Sequence, residues 1–191
     1  MIYLGIDPGV HGAVARLAPG EPPRVWPAPV TLIRRGKRTV RVPDLRAMWD
    51  LLQEATTVAA TGVEAFCALE LARAIPPRPK AGGEPRASGA VGMFNYGLGY
   101  GAWQMALTGL GIPYACVHPA TWKKAMLRDV GSAKGAAVLV AQRLFPGVNL
   151  RLTPRARKDH DGAAEALLLA EHARRIGRPA EAARAAGEAF A

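Results

Sequence analysis

The chain opens with an apolar run, Ile2 to Ile6, that stops at Asp7-Pro8-Gly9 and resumes as an alternating run from Gly12 to Leu17. Two short runs joined by turn residues predict a β-hairpin, with Asp7 closing its first strand. Val25 and Trp26 predict a third strand, and Val40 to Val42 a fourth piece. Prolines at 19, 22, 23, 27 and 29 interrupt this zone, so the basic stretch Arg34, Arg35, Lys37, Arg38 and Arg41 is expected in an exposed loop or edge.

From Pro43-Asp44 the spacing changes to that of a helix, with Leu45, Met48, Trp49, Leu51 and Leu52 on one face. The run from Gly62 to Leu69 predicts a central strand whose end presents Glu70. Pro76 to Gly89, rich in Pro, Gly, Lys and Arg, reads as a basic loop. Val91 to Leu110 has helical spacing despite five glycines, and glycine costs a helix interior about 1 kcal/mol per position, so close backbone packing is the expected compensation. Gly97 and Gly101, four apart, would suit a close helix contact, inside the subunit or between subunits. Ile112 to Val117 predicts a strand, Pro119 to Lys124 a brief helix, Ser132 to Phe145 another helix, and Asp159 to Arg175 the last one. The order predicts an α/β fold, one mixed sheet with helices on both faces, over residues 1–176, and a C-terminal tail over 177–191 that is helical or frayed.

Composition narrows the class. Half of the 191 residues are hydrophobic, enough for one core and too many for wholesale disorder. No apolar run has membrane-spanning length and the N-terminus does not resemble a signal peptide, so a cytoplasmic protein of a bacterial or phage-infected cell, with no membrane partner, is expected. Cys67 and Cys116 each sit in a predicted strand and read as reduced core thiols. The four histidines lack zinc spacing. A formal net charge of +10 suggests a polyanionic partner.

Against that basic background, a few acids fall where strands and helices end. Asp7 closes the first strand and Glu70 the central one, while Asp161 and Glu165, four apart, share a face of the last helix. Carboxylates brought together raise one another's pKa unless a cation compensates, so their convergence would call for Mg²⁺ or Mn²⁺. Such a site carries out in-line attack of water on a phosphodiester, with two ions about 3.5–4 Å apart. Taken singly, each acid has an ordinary reading: a turn residue, a solvated strand end, or a partner for a helix dipole. Glu64 lies on the same strand face as Glu70 and has no further support as a site residue.

Four segments resemble the RuvC family of junction resolvases, especially its phage and prophage branch: Tyr3-Leu4-Gly5-Ile6-Asp7-Pro8-Gly9, Ala68-Leu69-Glu70, Gly92-Met93-Phe94-Asn95-Tyr96-Gly97 with Tyr100-Gly101, and His160 to Leu167. Pro119-Ala120-Thr121-Trp122-Lys123-Lys124 fits as well. The resemblance spans about residues 2–172. It implies an RNase H-like five-stranded fold, a homodimer gripping a four-way (Holliday) DNA junction, two divalent ions per site, and symmetrical nicking, with Asp7 and Glu70 as metal ligands. The family's last helix has two acids three apart; Glu165 matches the second, but three residues before it stands Gly162. Asp161 is the nearest substitute, with His160 or Asp159 as helpers.

Residues for gripping DNA are expected in the basic loop (Arg78, Lys80, Arg86), on the brief helix (Lys123, Lys124), and before the last helix (Arg157, Lys158), with Phe94 as a wedge at the branch point. Two other readings compete. A junction-binding protein without catalysis would keep the basic surface, and Gly162 is its support. An actin-like phosphotransferase or ATPase would use Gly5 to Gly9 as a phosphate hairpin, but the chain is short for its second domain, and no P-loop occurs.

Overall fold

Along β1 (Ile2–Asp7), Ile2, Leu4 and Ile6 alternate with Tyr3, Gly5 and Asp7, and the two sets face opposite layers of the protein. The computed structural model describes residues 1–57, 64–72, 88–131 and 133–177. Within them β1 lies at the centre of a five-stranded sheet. It pairs antiparallel with β2 (Ala13–Leu17), which pairs antiparallel with β3 (Arg24–Pro27). On its other side it pairs parallel with β6 (Ala65–Glu70), which pairs parallel with β7 (Tyr114–Val117), giving the order β3-β2-β1-β6-β7.

Helices cover both faces. Ile2, Leu4, Ile6, Val14, Cys67 and Leu69 pack against α1 (Leu45–Thr56) and α2 (Ser88–Gly109). On the other face Ala13, Ala15, Phe66, Ala68 and Val117 pack against α3 (Pro119–Met126), α4 (Ala136–Leu144) and α5 (Asp161–Ile176). This is the expected mixed sheet of an RNase H-like α/β fold.

One contact decides where α5 can sit. A Cβ added at Gly5 would lie 2.1 Å from the Ala166 carbonyl oxygen and 2.2 Å from the Ala170 nitrogen, so the helix backbone rests directly on β1. Only glycine permits that approach. Ala163, Ala164, Ala166 and Ala170, all fully buried, continue the flat seam.

Several element boundaries differ from the sequence reading. The basic stretch is not a loop or a sheet edge: β4 (Val30–Arg35) and β5 (Arg38–Pro43) form a separate antiparallel hairpin. Its two-residue turn has Gly36 at φ +61° followed by Lys37 with negative φ, the II′ arrangement that matches strand twist. The fourth helix starts at Ala136 rather than Ser132, because Gly135 takes φ +84° ahead of it. α1 starts after Asp44, whose side chain accepts from the Ala47 N–H at 3.0 Å, and Leu45 points to solvent instead of joining the apolar face. Close packing compensates only some α2 glycines. A Cβ at Gly99 would meet the Pro8 oxygen at 3.2 Å and one at Gly109 the Trp49 ring at 2.9 Å, whereas Gly97 and Gly101 meet nothing among the described residues.

Cys67 and Cys116 are buried and free, as expected. No described helix is long and apolar enough to cross a membrane. The tail beyond residue 177 lies outside the described residues.

Candidate active site

The parallel register of β1 and β6 sets Ile6 beside Leu69, so Asp7 and Glu70 end adjacent strands on the face covered by α5. Neighbouring strands are about 4.8 Å apart, which brings two carboxylates into mutual reach. Glu64 begins the β6 segment at its opposite end and takes no part.

Asp7 is fixed locally. The Gly9 N–H donates to its Oδ1 at 3.2 Å, and the turn closes with Gly12 N–H donating to the Gly9 oxygen at 2.7 Å. A Cβ at Gly12 would fall 2.1 Å from the Asp7 carbonyl oxygen, so this tight return also needs glycine. Burial pushes the Asp7 carboxyl up to about 6, opposed by the Gly9 hydrogen bond and reinforced by Glu165.

Glu70 is buried, with 8% of its surface exposed. Its Oε2 accepts from the indole Nε1–H of Trp122 at 2.7 Å. Trp122 is fully buried at the start of α3, and an indole N–H in such a place requires an acceptor. Burial pushes Glu70 up to about 7; the Trp122 bond works against this, and Asp7 and Glu165 add to it.

Glu165, on α5, accepts from the Lys123 ammonium at 2.7 Å. Burial works to lower the Lys123 pKa, but the Glu165 hydrogen bond and the charges of Glu165, Glu70 and Asp7 outweigh it and leave it raised. Lys123 therefore turns inward among the acids, while Lys124 next to it is exposed. Tyr96 on α2 completes the wall: burial first, then Glu70, Asp7 and Glu165, push its phenol up to about 12, keeping it a hydrogen-bond donor.

Asp7, His11, Tyr96, His160, Asp161 and Glu165 line a common cleft of about 480 Å³. Gly162 is the residue of α5 turned straight at Asp7. A Cβ there would lie 2.8 Å from the His11 oxygen, 3.0 Å from Asp7 Oδ2 and 3.2 Å from His160 Cε1. An acid at this position would run into Asp7, which gives a physical reason for glycine. Asp161 is exposed at the cleft rim, and Asp159 is drawn away by Gln142 at 2.6 Å and Arg151 at 3.6 Å. His160 sits at the helix cap, and its buried Nδ1 has no hydrogen-bond partner among the described residues.

Thus the structure brings Asp7, Glu165, His160 and Asp161 to one cleft, while Glu70 ends the strand beside Asp7 and is buried against Trp122. Among the described residues, no three of His, Cys, Asp or Glu lie close enough together to hold a metal ion. The acids feel one another's charge yet stand apart, because Trp122 holds Glu70 and Lys123 holds Glu165. Phe94 is 67% exposed on α2, and Arg157 and Lys158 are exposed before α5. Arg78, Lys80 and Arg86 lie outside the described residues. Sequence reasoning missed Trp122 and Tyr96 as site residues; a tryptophan beside two lysines after a strand was the available signal for the first.

Fold and cleft together define an RNase H-like α/β protein with acids gathered over the central strands. Two solved structures are similar in fold. Thermus thermophilus RuvC is 18% identical over 93% of this chain and 97% of its own, with a TM-score of 0.49. The same protein in complex with a Holliday junction substrate is 17% identical over 93% and 96%, with a TM-score of 0.52. No protein-family model matches the chain, and no curated protein matches it.

Proposed function

We propose that this protein is a divalent-metal-dependent endonuclease that resolves four-way DNA junctions, of the phage or prophage RuvC type. The observation that carries the reading is that Asp7 from β1 and Glu165 from α5 line one open cleft, with Glu70 ending the adjacent strand β6 and all three acids feeling one another's charge, in a chain of formal net charge +10.

Carboxylate oxygens suit Mg²⁺ or Mn²⁺, and the unpartnered Nδ1 of His160 offers one further donor. The donor chemistry fits such ions: Asp7, Glu70 and Glu165 would hold them, assisted by His160 or Asp161. Bound there, they supply Lewis-acid activation of water and stabilisation of the leaving oxygen. The chain's own groups prepare the place. The Gly9 N–H aims Asp7 and the Trp122 indole aims Glu70, and a cation would have to displace the protons that burial favours on both carboxyls. Lys123 balances the charge of Glu165; if Glu165 held a cation, the Lys123 ammonium would be available to a phosphate oxygen.

A second copy of the chain is the proposed partner for α2. Phe94, Leu98 and Met105 are exposed, Gly97 and Gly101 meet nothing among the described residues, and helical spacing gathers them into one stripe. The exposed Phe94 is also placed to serve as a wedge at a branch point.

The test is cleavage of labelled four-way junction, linear duplex and RNA/DNA hybrid, with Mg²⁺ and with chelator. Mg²⁺-dependent paired nicks in the junction are expected, and they should disappear in Asp7→Asn and Glu70→Gln. The separation of the acids among the described residues favours a second reading, a junction-binding protein without catalysis; tight junction binding with no nicks at any Mg²⁺ or Mn²⁺ concentration would establish it.

A further inference from the structure

The β4–β5 hairpin stands outside the five-stranded sheet and packs on the body near its base, where Pro43 touches the Gly99 turn of α2 and the Asp44 N–H donates to the Pro29 oxygen. Its fourteen residues, Val30 to Pro43, contain five cationic residues and no acid, half of the chain's formal net charge of +10. Arg34, Lys37, Arg38 and Arg41 are exposed, and none of the four forms an ion pair among the described residues. A two-stranded hairpin is marginal in water and gains nothing from concentrated like charge, so stability does not account for this composition.

Register and one contact show which way the cations face. Leu32 pairs with Arg41 and Arg34 with Thr39, so Arg34 and Arg41 share one face. Arg41 Nη1 lies 3.3 Å from His11 Nδ1, and His11 lines the cleft of Asp7 and Glu165. That face therefore runs from the cleft rim outwards to the Gly36-Lys37 turn. Strands of six residues span about 20 Å, the length of roughly six base pairs at 3.4 Å each.

We infer that the β4–β5 hairpin is a DNA-binding arm that lies along the phosphate backbone of a duplex leaving the cleft, with Arg34 and Arg41 on successive phosphates and Lys37 and Arg38 at its tip. The inference rests on the nuclease reading for its substrate and adds a second contact region to it. Duplex DNA is the occupant because the arm offers point charges and guanidinium forks in a line, continuous with a cleft suited to phosphodiester chemistry.

The experiment measures binding of the full-length protein to a labelled four-way junction in chelator, from 0.05 to 0.3 M salt. Each lost phosphate contact lowers the log–log salt slope by about 0.9, so Arg34→Ala with Arg41→Ala should flatten it by about 1.8 and weaken binding about 30-fold at 0.15 M salt. Arg34→Lys with Arg41→Lys should restore the slope, which a merely structural role would not predict. Wild-type affinity and slope in the alanine pair, with an unchanged melting curve, would overturn the arm; wild-type Mg²⁺-dependent nicking would still leave the nuclease reading standing. Absence of wild-type nicking together with the expected slope change would instead remove the nuclease and keep the arm. No junction binding by wild type at 0.05 M salt would remove both.

Discussion

The cleft and the β4–β5 hairpin solve opposite electrostatic problems. In the cleft, carboxylates are pressed into a place where ionisation is costly, and glycines at 5, 12 and 162 remove every side chain that would keep the pieces apart. In the hairpin, cations are held in water with no acid to neutralise them. Packing precision matters for the first and hardly at all for the second. Substitutions should therefore separate them: cleft variants change chemistry and folding, hairpin variants change affinity and salt dependence.

The largest separation is expected for Asp7→Asn. Loss of an ionisable donor should reduce junction cleavage by about 10³-fold or more, while junction affinity holds or improves because a negative charge near the phosphates is gone. Gel assays of nicking and binding on one preparation check both halves; equal losses in the two would merge the regions.

Folding should respond next. Gly5→Ala places a methyl group inside backbone atoms of α5, at an expected cost of about 3 kcal/mol or more, and lifts Glu165 away from Asp7. Urea denaturation followed by circular dichroism measures it, and an unchanged midpoint would show that the helix is not seated on β1. Gly162→Ala meets gentler contacts and should cost about 1–3 kcal/mol.

A pH scan sharpens the contrast further. Asp7 and Glu70 have folded-state pKa values raised to about 6 and about 7, so the folded protein binds more protons than the unfolded chain between about pH 4 and 7. Their contribution to stability is full below pH 4 and is lost as pH rises through 6 to 7. Metal-free Asp7→Asn should show a shallower fall in melting temperature over that window, whereas hairpin variants should follow wild type. Smallest in energy is the salt response of the hairpin, where Lys37→Ala with Arg38→Ala should also flatten the slope.

How legible was this in the sequence? The end of an apolar run at Asp7 and at Glu70 was visible, because strand periodicity and turn residues are local. Hidden were contacts across long stretches of chain: Trp122 to Glu70, 52 residues apart, and Lys123 to Glu165, 42 apart. Gly162 read as a departure because only the rotation of α5 about its axis reveals that this position, rather than Asp161, points at Asp7. The hairpin was hidden for another reason. Its strands alternate cations with apolar residues on both faces, so the period-two signal of a half-buried strand is blurred, and the prolines before it suggested irregular chain.

The short bond between the Trp122 indole and Glu70 would make the proposed site its own optical indicator. If a cation bound Glu70 as proposed, the ring that donates to it would change its emission against the background of Trp26, Trp49 and Trp103. Titrating Mg²⁺ in a fluorimeter should then report occupancy without DNA and without turnover, and Trp122→Phe should silence the signal.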